Sequence, residues 1–574
     1  MNPRYAIGVD FGTESGRAVL VDVADGREIG IEVHQYRNGV IDEHLPAPDN
    51  DVILGPDWAL QDPNDYLETL RQAIPRLLNA TEVDPDQIIG IGIDFTSCTM
   101  LPTTNDGTPL CFLDVHRREP HAWVKLWKHH AAQPEADQIN RVAAQLGEPW
   151  LARYGGKISA EWFFPKALQI LHEAPATYRA AGRLIEAADW ITWQLTGVET
   201  RNNCTAGYKA LWSAEDGFPD SRFFEALDPA FRDVVDEKMS RTVVGLGEAA
   251  GGLTGRAAGW TGLRPGTPVA VGNVDAHASA PAASVTAPGS LVAIMGTSIC
   301  HVVLSRTAPA VLGMCGVVRD GVVPGLYGFE AGQASVGDLF GWFAEHAVPP
   351  AYHEVARARG LSVHEVLEET AASIAPGASG LLALDWWNGN RSILVDADLS
   401  GLLIGLTLAT EAPEIYRALI EATAFGTRVI IEAFEAGGVP IDRLVACGGL
   451  PERNRLLMQV YADVTGREWR VAASSQTPAL GAAMFGAVAA GPAAGGYAGI
   501  AQAASAMAHL RDEVFIPIEA NHRVYDVLFG EYVRLHDLFG RGIEPTMKTL
   551  KQLRLAAVGV LDRTPGGRAA QAAR

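Results

Sequence analysis

Cysteine is scarce in this sequence and does not pair by spacing: six residues in 574, Cys98, Cys111, Cys204, Cys300, Cys315 and Cys447, with no CxxC. That pattern excludes a zinc knuckle and a disulfide framework, so the thiols are expected to be free and mostly packed. Long apolar runs are missing too, none reaching the roughly 18 residues a membrane helix needs. Asp10 and Glu14 interrupt the first apolar stretch, which therefore does not read as a signal peptide. The expectation is a cytoplasmic protein. Basic charge is also short: 46 Lys and Arg against 67 Asp and Glu leave a net charge of −21. Such a balance repels nucleic acid and anionic membranes, and neither is an expected partner. A small anionic ligand is not excluded, because charges beyond about 8 Å are largely screened.

What the chain has in quantity is glycine, 60 residues, within a 48% hydrophobic composition. This fits a compact α/β protein, and the length predicts two domains. Residues 6–23, AIGVDFGTESGRAVLVDV, place an acidic Gly-rich turn between two apolar runs. The runs predict strands, and Gly12 and Gly16 permit backbone that presents N–H groups to an anion. Asp10 is a carboxylate of the kind Mg²⁺ prefers, and Thr13 and Arg17 could reach phosphate oxygens. Alone, the stretch is equally an ordinary hairpin. A second one follows at 290–305, SLVAIMGTSICHVVLS, with Gly296, Thr297 and Ser298 at its turn. Two phosphate loops facing each other across a cleft account for the pair better than coincidence.

Between them, Asp62 to Asp65 reads as a helix start before Tyr66, Leu67, Leu70, Ile74, Leu77 and Leu78. The apolar run 88–93 delivers Asp94 to Thr99 at its C-terminal end, where α/β sheets bind ligands. Asn105-Asp106-Gly107 predicts a turn into a further strand at 109–113. Residues 115–260 are largely helical in character, and Lys209 stands there among apolar neighbours, an arrangement that more often snorkels than binds. The short strand pattern at 266–277 ends on Asp275. A long helix is predicted over 410–437, capped by Thr410 and stopped by Gly437-Gly438. Strand 444–447 then runs through Gly448 and Gly449 into a helix, a geometry that lets backbone approach a nucleoside. Residues 478–483, PALGAA, predict a helix packed closely through small side chains. The tail beyond about 545 is basic, and its last dozen residues are expected to be disordered.

Taken together, DFGTESGR at 10–17, GTS at 296–298 and CGGLPERN at 447–454 resemble the phosphate-1, phosphate-2 and adenosine motifs of the actin/Hsp70/sugar-kinase ATPase fold. Residues 401–424, GLLIGLTLATEAPEIYRALIEATA, resemble the signature of the FGGY carbohydrate kinases, and GNVDAH at 272–277 resembles their catalytic-aspartate segment. FTSCT at 95–99, AGYKALW at 206–212, FEAGQ at 329–333 and LDWWNGNRS at 384–392 are closer to the ribulokinase group than to xylulokinases or glycerol kinases. One departure is Ser97, where that group is expected to carry alanine; a main-chain contact survives the difference, a side-chain role does not follow from it.

The resemblance implies two RNase H-like α/β domains with an active-site cleft between them: a sugar-binding domain at 1–284, a nucleotide domain at 285–545 and a basic tail at 546–574. It implies ATP-dependent phosphorylation of the terminal hydroxyl of L-ribulose to L-ribulose 5-phosphate, in L-arabinose catabolism, with another pentulose or pentitol as the alternative. An Hsp70- or actin-type ATPase shares the phosphate loops but needs no sugar-side aspartate and lysine. By the same resemblance Asp275 is the base, with an ordinary carboxylate pKa of about 4, and Asp10 positions Mg²⁺ through water. Gly12, Thr13, Arg17, Gly296, Thr297 and Ser298 would hold the phosphates of ATP. Gly337, Gly448, Gly449 and Asn454 would line the nucleoside pocket, and Ser97, Lys209 and Glu330 would join Asp275 on the ketose. A homodimer is the family expectation, and Trp386 and Trp387 receive no role.

Overall fold

The structure, a computed structural model, describes residues 3–557. Two mixed sheets carry one topology twice. In the first, strands Glu28–Gln35, Ser15–Asp22 and Tyr5–Phe11 form an antiparallel meander; Ile88–Phe95 and Pro268–Ala270 add in parallel, and Ala249–Gly252 closes the edge antiparallel. In the second, Tyr327–Gln333, Ile299–Ser305 and Ser290–Met295 repeat the meander. Arg443–Cys447 and Trp469–Ala472 add in parallel, Leu510–Phe515 closes one edge, and Gly316–Arg319 extends the other. The similarity between the two Gly-rich hairpins is thus a repeat of the whole sheet.

Helices Asp275–Ala282 and Thr477–Ala490 lie between the sheets, in an apolar core that joins Ala6, Val19 and Ile89 of the first to Val292, Val302 and Val445 of the second. Thr477–Ala490 is apolar on every side, so water can cover none of it cheaply and it is stable only with a layer on each flank. Burying Leu480, Met484 and Phe485 stabilises it by about 1.5–3 kcal/mol each. Small residues set the distances, as the PALGAA run predicts: a side chain at Gly92 would place its first carbon 1.7 Å from the Ala482 carbonyl oxygen, and one at Gly481 would lie 1.8 Å from that of Ala278. The second contact is where the two central helices cross. Gly481→Ala is therefore expected to destabilise the protein by about 3 kcal/mol or more, and to lower activity beyond the loss of folded protein because Asp275 rides on the displaced helix. Urea unfolding and specific activity of the folded fraction measure the two effects.

Two further cores lie outside this layer, behind each sheet, and a fourth fills the helical region inserted into the first half, around Trp150, Phe164, Phe224 and Phe231. That region is less uniformly helical than its spacing predicts: strand Arg183–Glu186 joins a small separate sheet, and Ala249–Gly252 forms the edge of the first large one. The strand expected at 109–113 is a single 3-10 turn, Leu110–Phe112, because Pro109 begins the turn and only five apolar residues were available to extend it. The long helix runs Ala412–Ala436 with Glu411 as its cap. Thr410 is displaced from that role because its hydroxyl accepts from the Thr407 N–H at 2.9 Å, closing the preceding turn.

The basic tail begins as helix Thr546–Ala557, where Lys548 pairs with Asp396 at 2.5 Å and Lys551 with Asp398 at 2.8 Å. The rest of the tail lies outside the described residues. Cys98, Cys111, Cys204 and Cys447 are buried and Cys300 and Cys315 half-buried, all as free thiols. Trp386 is buried against His536, and Trp387 packs on Trp342 with ring centres 5.6 Å apart. No helix among the described residues is long and apolar enough to cross a membrane.

Candidate active site

The first Gly-rich turn closes with the Gly12 N–H donating to Ser15 O at 3.0 Å, and the second with the Gly296 N–H donating to Ser298 O at 2.9 Å. Each stands at the end of the first two strands of its sheet, so sheet topology places them as counterparts. Thr13 is held from two sides: Gln61 Nε2 donates to its carbonyl at 2.7 Å and Trp127 Nε1 to its hydroxyl at 3.1 Å. Arg17, directly opposite Asp10 in the hairpin register, pairs with it at 3.2 Å and donates to Gln476 Oε1 at 3.0 Å. Gly296 and Thr297 are exposed. Their carbonyls receive the main-chain N–H groups of Gly337, Val336 and Asp338. Gly337 thus backs directly onto the second turn.

Gly448 has φ +97, and a side chain there would meet Met295 O at 2.5 Å. Only glycine fits that turn. Gly449, exposed, opens the short helix Gly449–Arg453. Asn454 is nearly buried, and its Oδ1 accepts from the Leu457 N–H at 2.7 Å, capping helix Arg455–Thr465. Its oxygen is therefore committed to capping that helix.

Three aspartates converge at the C-terminal end of the first sheet. Asp10 and Asp94 are opposite one another in the parallel pair Tyr5–Phe11 and Ile88–Phe95, and Asn273 and Val274 pair beside Asp94 and Phe95, which brings Asp275 to the same end. Asp94 is fully buried, and neither carboxyl oxygen meets a donor. Burial, then the charges of Asp10 and Asp275, push its pKa far above the usual carboxylate range. Burial also raises Asp10, against the opposing charge of Arg17. Asp275 is half-buried at the start of its helix and accepts from the Ala276 N–H at 2.6 Å. Its pKa is pushed up to about 7 by burial and by the charges of Asp10 and Glu330, against the Ala276 hydrogen bond and Arg391. The value of about 4 that an isolated carboxylate would have is corrected accordingly. Three carboxyl groups thus crowd one low-dielectric corner, and Asp94 stays protonated.

Lys209 does not snorkel. It is buried at the end of helix Asn203–Lys209, donates to both Glu330 oxygens at 2.9 Å and lies 5.4 Å from the Trp162 ring centre. Burial works against its charge, but Glu330 outweighs it and holds the ammonium protonated. Glu330 comes from the second sheet, so this ion pair joins the two halves. Arg391 reaches the same carboxylate at 2.7 Å and His277 at 3.5 Å. Burial lowers the His277 pKa to about 4, leaving a neutral ring against Tyr208 with centres 4.2 Å apart. Ser97 is half-buried in the loop after Ile88–Phe95, on the same edge as Asp275.

The model of the FGGY carbohydrate-kinase N-terminal domain matches residues 5–281, and that of the C-terminal domain residues 291–490. The chain belongs to the FGGY family of carbohydrate kinases. Within the FGGY family it is similar to a ribulokinase of Halalkalibacterium halodurans, 55% identical over 96% of this chain and 98% of that protein, and to one of Geobacillus thermodenitrificans, 56% identical over 96% and 97%. Among solved structures, a xylulose kinase from Rhodospirillum rubrum superposes with a TM-score of 0.72 at 25% identity, covering 93% of this chain and 98% of that one. The two-domain α/β architecture of sugar kinases is therefore shared over nearly the whole length.

Asp94, Arg391 and His277 stand with the residues of this site, and although each lies in a stretch singled out in the sequence, motif reading gives none of them a role. Asp94 had a signal: IGVDF at 7–11 and IGIDF at 91–95 are nearly the same word, and the structure sets them side by side in register. His277 follows Asp275 by two positions. Arg391 lies within LDWWNGNRS at 384–392, but nothing local in that stretch points to its partner Glu330, 61 residues upstream.

Proposed function

We propose that this FGGY kinase transfers the terminal phosphoryl group of ATP to the terminal hydroxyl of L-ribulose, giving L-ribulose 5-phosphate. One observation carries the reading: the buried Lys209–Glu330 pair, with Arg391, stands at the same cleft as Asp275 and the two Gly-rich turns. An ATPase that acts on no sugar has no use for it. The similarity to ribulokinases over nearly full length supports ribulose as the acceptor.

Asp275 would take the proton of the attacking hydroxyl as the bond to phosphorus forms, and Lys209, Glu330 and the 96–99 loop would fix the ketose so that this hydroxyl faces it. The two turns offer main-chain N–H groups, Thr13, Thr297 and Ser298 to the phosphates, with Arg17 beside them, so the chain positions and neutralises rather than bonding covalently. Gly337, Gly448, Gly449 and Asn454 are assigned to the nucleoside side.

The orphaned oxygens of Asp94 beside Asp10 fit a divalent cation nearby, since positive charge would relieve the crowding. No group of three His, Cys, Asp or Glu among the described residues could itself hold a metal ion. Mg²⁺ would accordingly rest on water and phosphate oxygens, with Asp10 orienting that water; when bound, it neutralises phosphate charge. We further propose a domain boundary at 284/285, closure of the halves on sugar, a cytoplasmic setting and a homodimer.

The raised pKa of Asp275 sets a pH dependence. The base must be ionised, so kcat/KM for the ketose is expected to fall about tenfold per pH unit below pH 7 and to be flat above it, in a profile measured from pH 5 to 9. The function itself is tested by ADP release over a panel of L-ribulose, D-ribulose, xylulose, ribitol and glycerol. L-Ribulose is expected to give the highest kcat/KM. ADP release indifferent to every sugar would favour the ATPase alternative.

A further inference from the structure

Lys166 lies within helix Phe163–Glu173 and is 0% exposed. Its ammonium donates two hydrogen bonds of 2.7 Å, both to main-chain carbonyls: Cys98 and Leu126. Neither partner is incidental. Cys98 stands at φ +60, a left-handed conformation that a non-glycine residue keeps only when its surroundings hold it. Next to it is Ser97, in the loop assigned to the ketose. The ends of that loop are tied elsewhere, Thr96 N–H to Phe11 O at 3.2 Å and Ala187 N–H to Thr99 O at 2.7 Å, which leaves Lys166 as the tie to its middle.

The other carbonyl precedes Trp127, whose indole N–H donates to the Thr13 hydroxyl in the first phosphate turn at 3.1 Å. Leu126 is itself pinned by its N–H to Ala59 O at 2.9 Å. One ammonium thus holds the middle of the ketose loop and the root of the tryptophan that touches the phosphate turn. The helix bearing it starts immediately after Trp162, the ring lying by Lys209. An apolar side chain would fill the same space without the desolvation cost of a buried charge. What only the ammonium supplies is the bridge between two carbonyls.

We propose that Lys166 is a positioning residue that couples ketose binding to the geometry of the phosphate turn. The inference rests on the functional reading above. It touches neither substrate; it fixes the distance between the segments that do.

Calorimetric titration tests it on the full-length wild type, Lys166→Met and Trp127→Phe, each confirmed folded by circular dichroism. L-Ribulose is titrated with and without a saturating non-hydrolysable ATP analogue, and the analogue with and without L-ribulose. In the wild type each ligand should tighten the other by the same factor, as linkage requires. In Lys166→Met that factor is expected to fall about tenfold or to unity, and kcat to fall more than the nucleotide KM changes. Trp127→Phe, which cuts the other end, should lose the coupling while its affinity for L-ribulose alone stays as in the wild type. A folded Lys166→Met with wild-type coupling overturns the proposal. If that variant does not fold, unchanged coupling in Trp127→Phe overturns it equally. Failure of the wild type to bind L-ribulose counts against the functional reading instead, and the same cycle is then run with whichever panel sugar the enzyme phosphorylates.

Discussion

Replacing Asp275 by Asn is expected to lower ketose-dependent ADP release by at least about 10³-fold while leaving nucleotide and ketose binding measurable. The substitution keeps the shape and an oxygen that can accept from the Ala276 N–H, but it removes the carboxylate assigned to take the proton. It should also stabilise the fold. Asp275 has a pKa raised to about 7, so it costs no stability below the unfolded value near 4, a growing amount as the pH rises from about 4 to about 7, and the full amount above that. Asn carries no such cost. The variant is expected to gain about 1–3 kcal/mol at pH 8, less than the full shift implies because the carboxyl group opens to water in the cleft. The gain should shrink as the pH falls from 8 toward 4. Denaturant unfolding at several pH values measures it, and a variant that is inactive yet no more stable would mean that burial and the neighbouring charges do not raise the Asp275 pKa in the folded protein.

The second large effect is expected at the ion pair that joins the halves. Glu330→Ala removes the carboxylate that both Lys209 and Arg391 contact and leaves a buried ammonium uncompensated. Breaking a buried pair from one side costs about 3–5 kcal/mol. The double variant Lys209→Met with Glu330→Leu removes both charges and fills the space, and Arg391, about a third exposed, can turn to water. It should therefore recover most of the stability lost in the single variant. Ketose binding should be lost in both. A double variant as unstable as the single one would mean that the pair contributes packing rather than charge compensation. One that still binds L-ribulose would remove Lys209 and Glu330 from the sugar site.

The parts of this fold most legible in the sequence are those where one local pattern has one physical solution. The two apolar–glycine–apolar stretches read as hairpins, and their repetition, expected to be two facing phosphate loops, is part of a repeat of the whole sheet. PALGAA, with no large side chain on one stripe, could only be a helix approached closely. Caps were harder to read, because Thr410 and Glu411 are both capable and the choice fell to whichever hydroxyl or carboxylate had no competing turn. The five-residue run at 109–113 was ambiguous for the same reason: length did not separate a short strand from one turn of 3-10 helix.

Within the site, Asp10, Asp275 and the glycine turns sit in local motifs and could be found one at a time. The charge network could not. Lys209 among apolar neighbours reads as a snorkelling side chain until Glu330, 121 residues away, is placed beside it. Arg391 and Lys166 act through partners distant in sequence, and the raised pKa of Asp275 comes from burial and from two carboxylates on other strands. Spacing carries no information about a field summed in three dimensions.

The account turns on which hydroxyl faces Asp275. A crystal structure of the enzyme with L-ribulose, ADP and Mg²⁺ measures it directly. The terminal hydroxyl oxygen is predicted to lie within about 3.2 Å of the Asp275 carboxylate, with Lys209 and Glu330 on the remaining hydroxyls and the diphosphate between the two Gly-rich turns. A ketose bound away from Asp275, or presenting it with a hydroxyl other than the terminal one, would contradict the account.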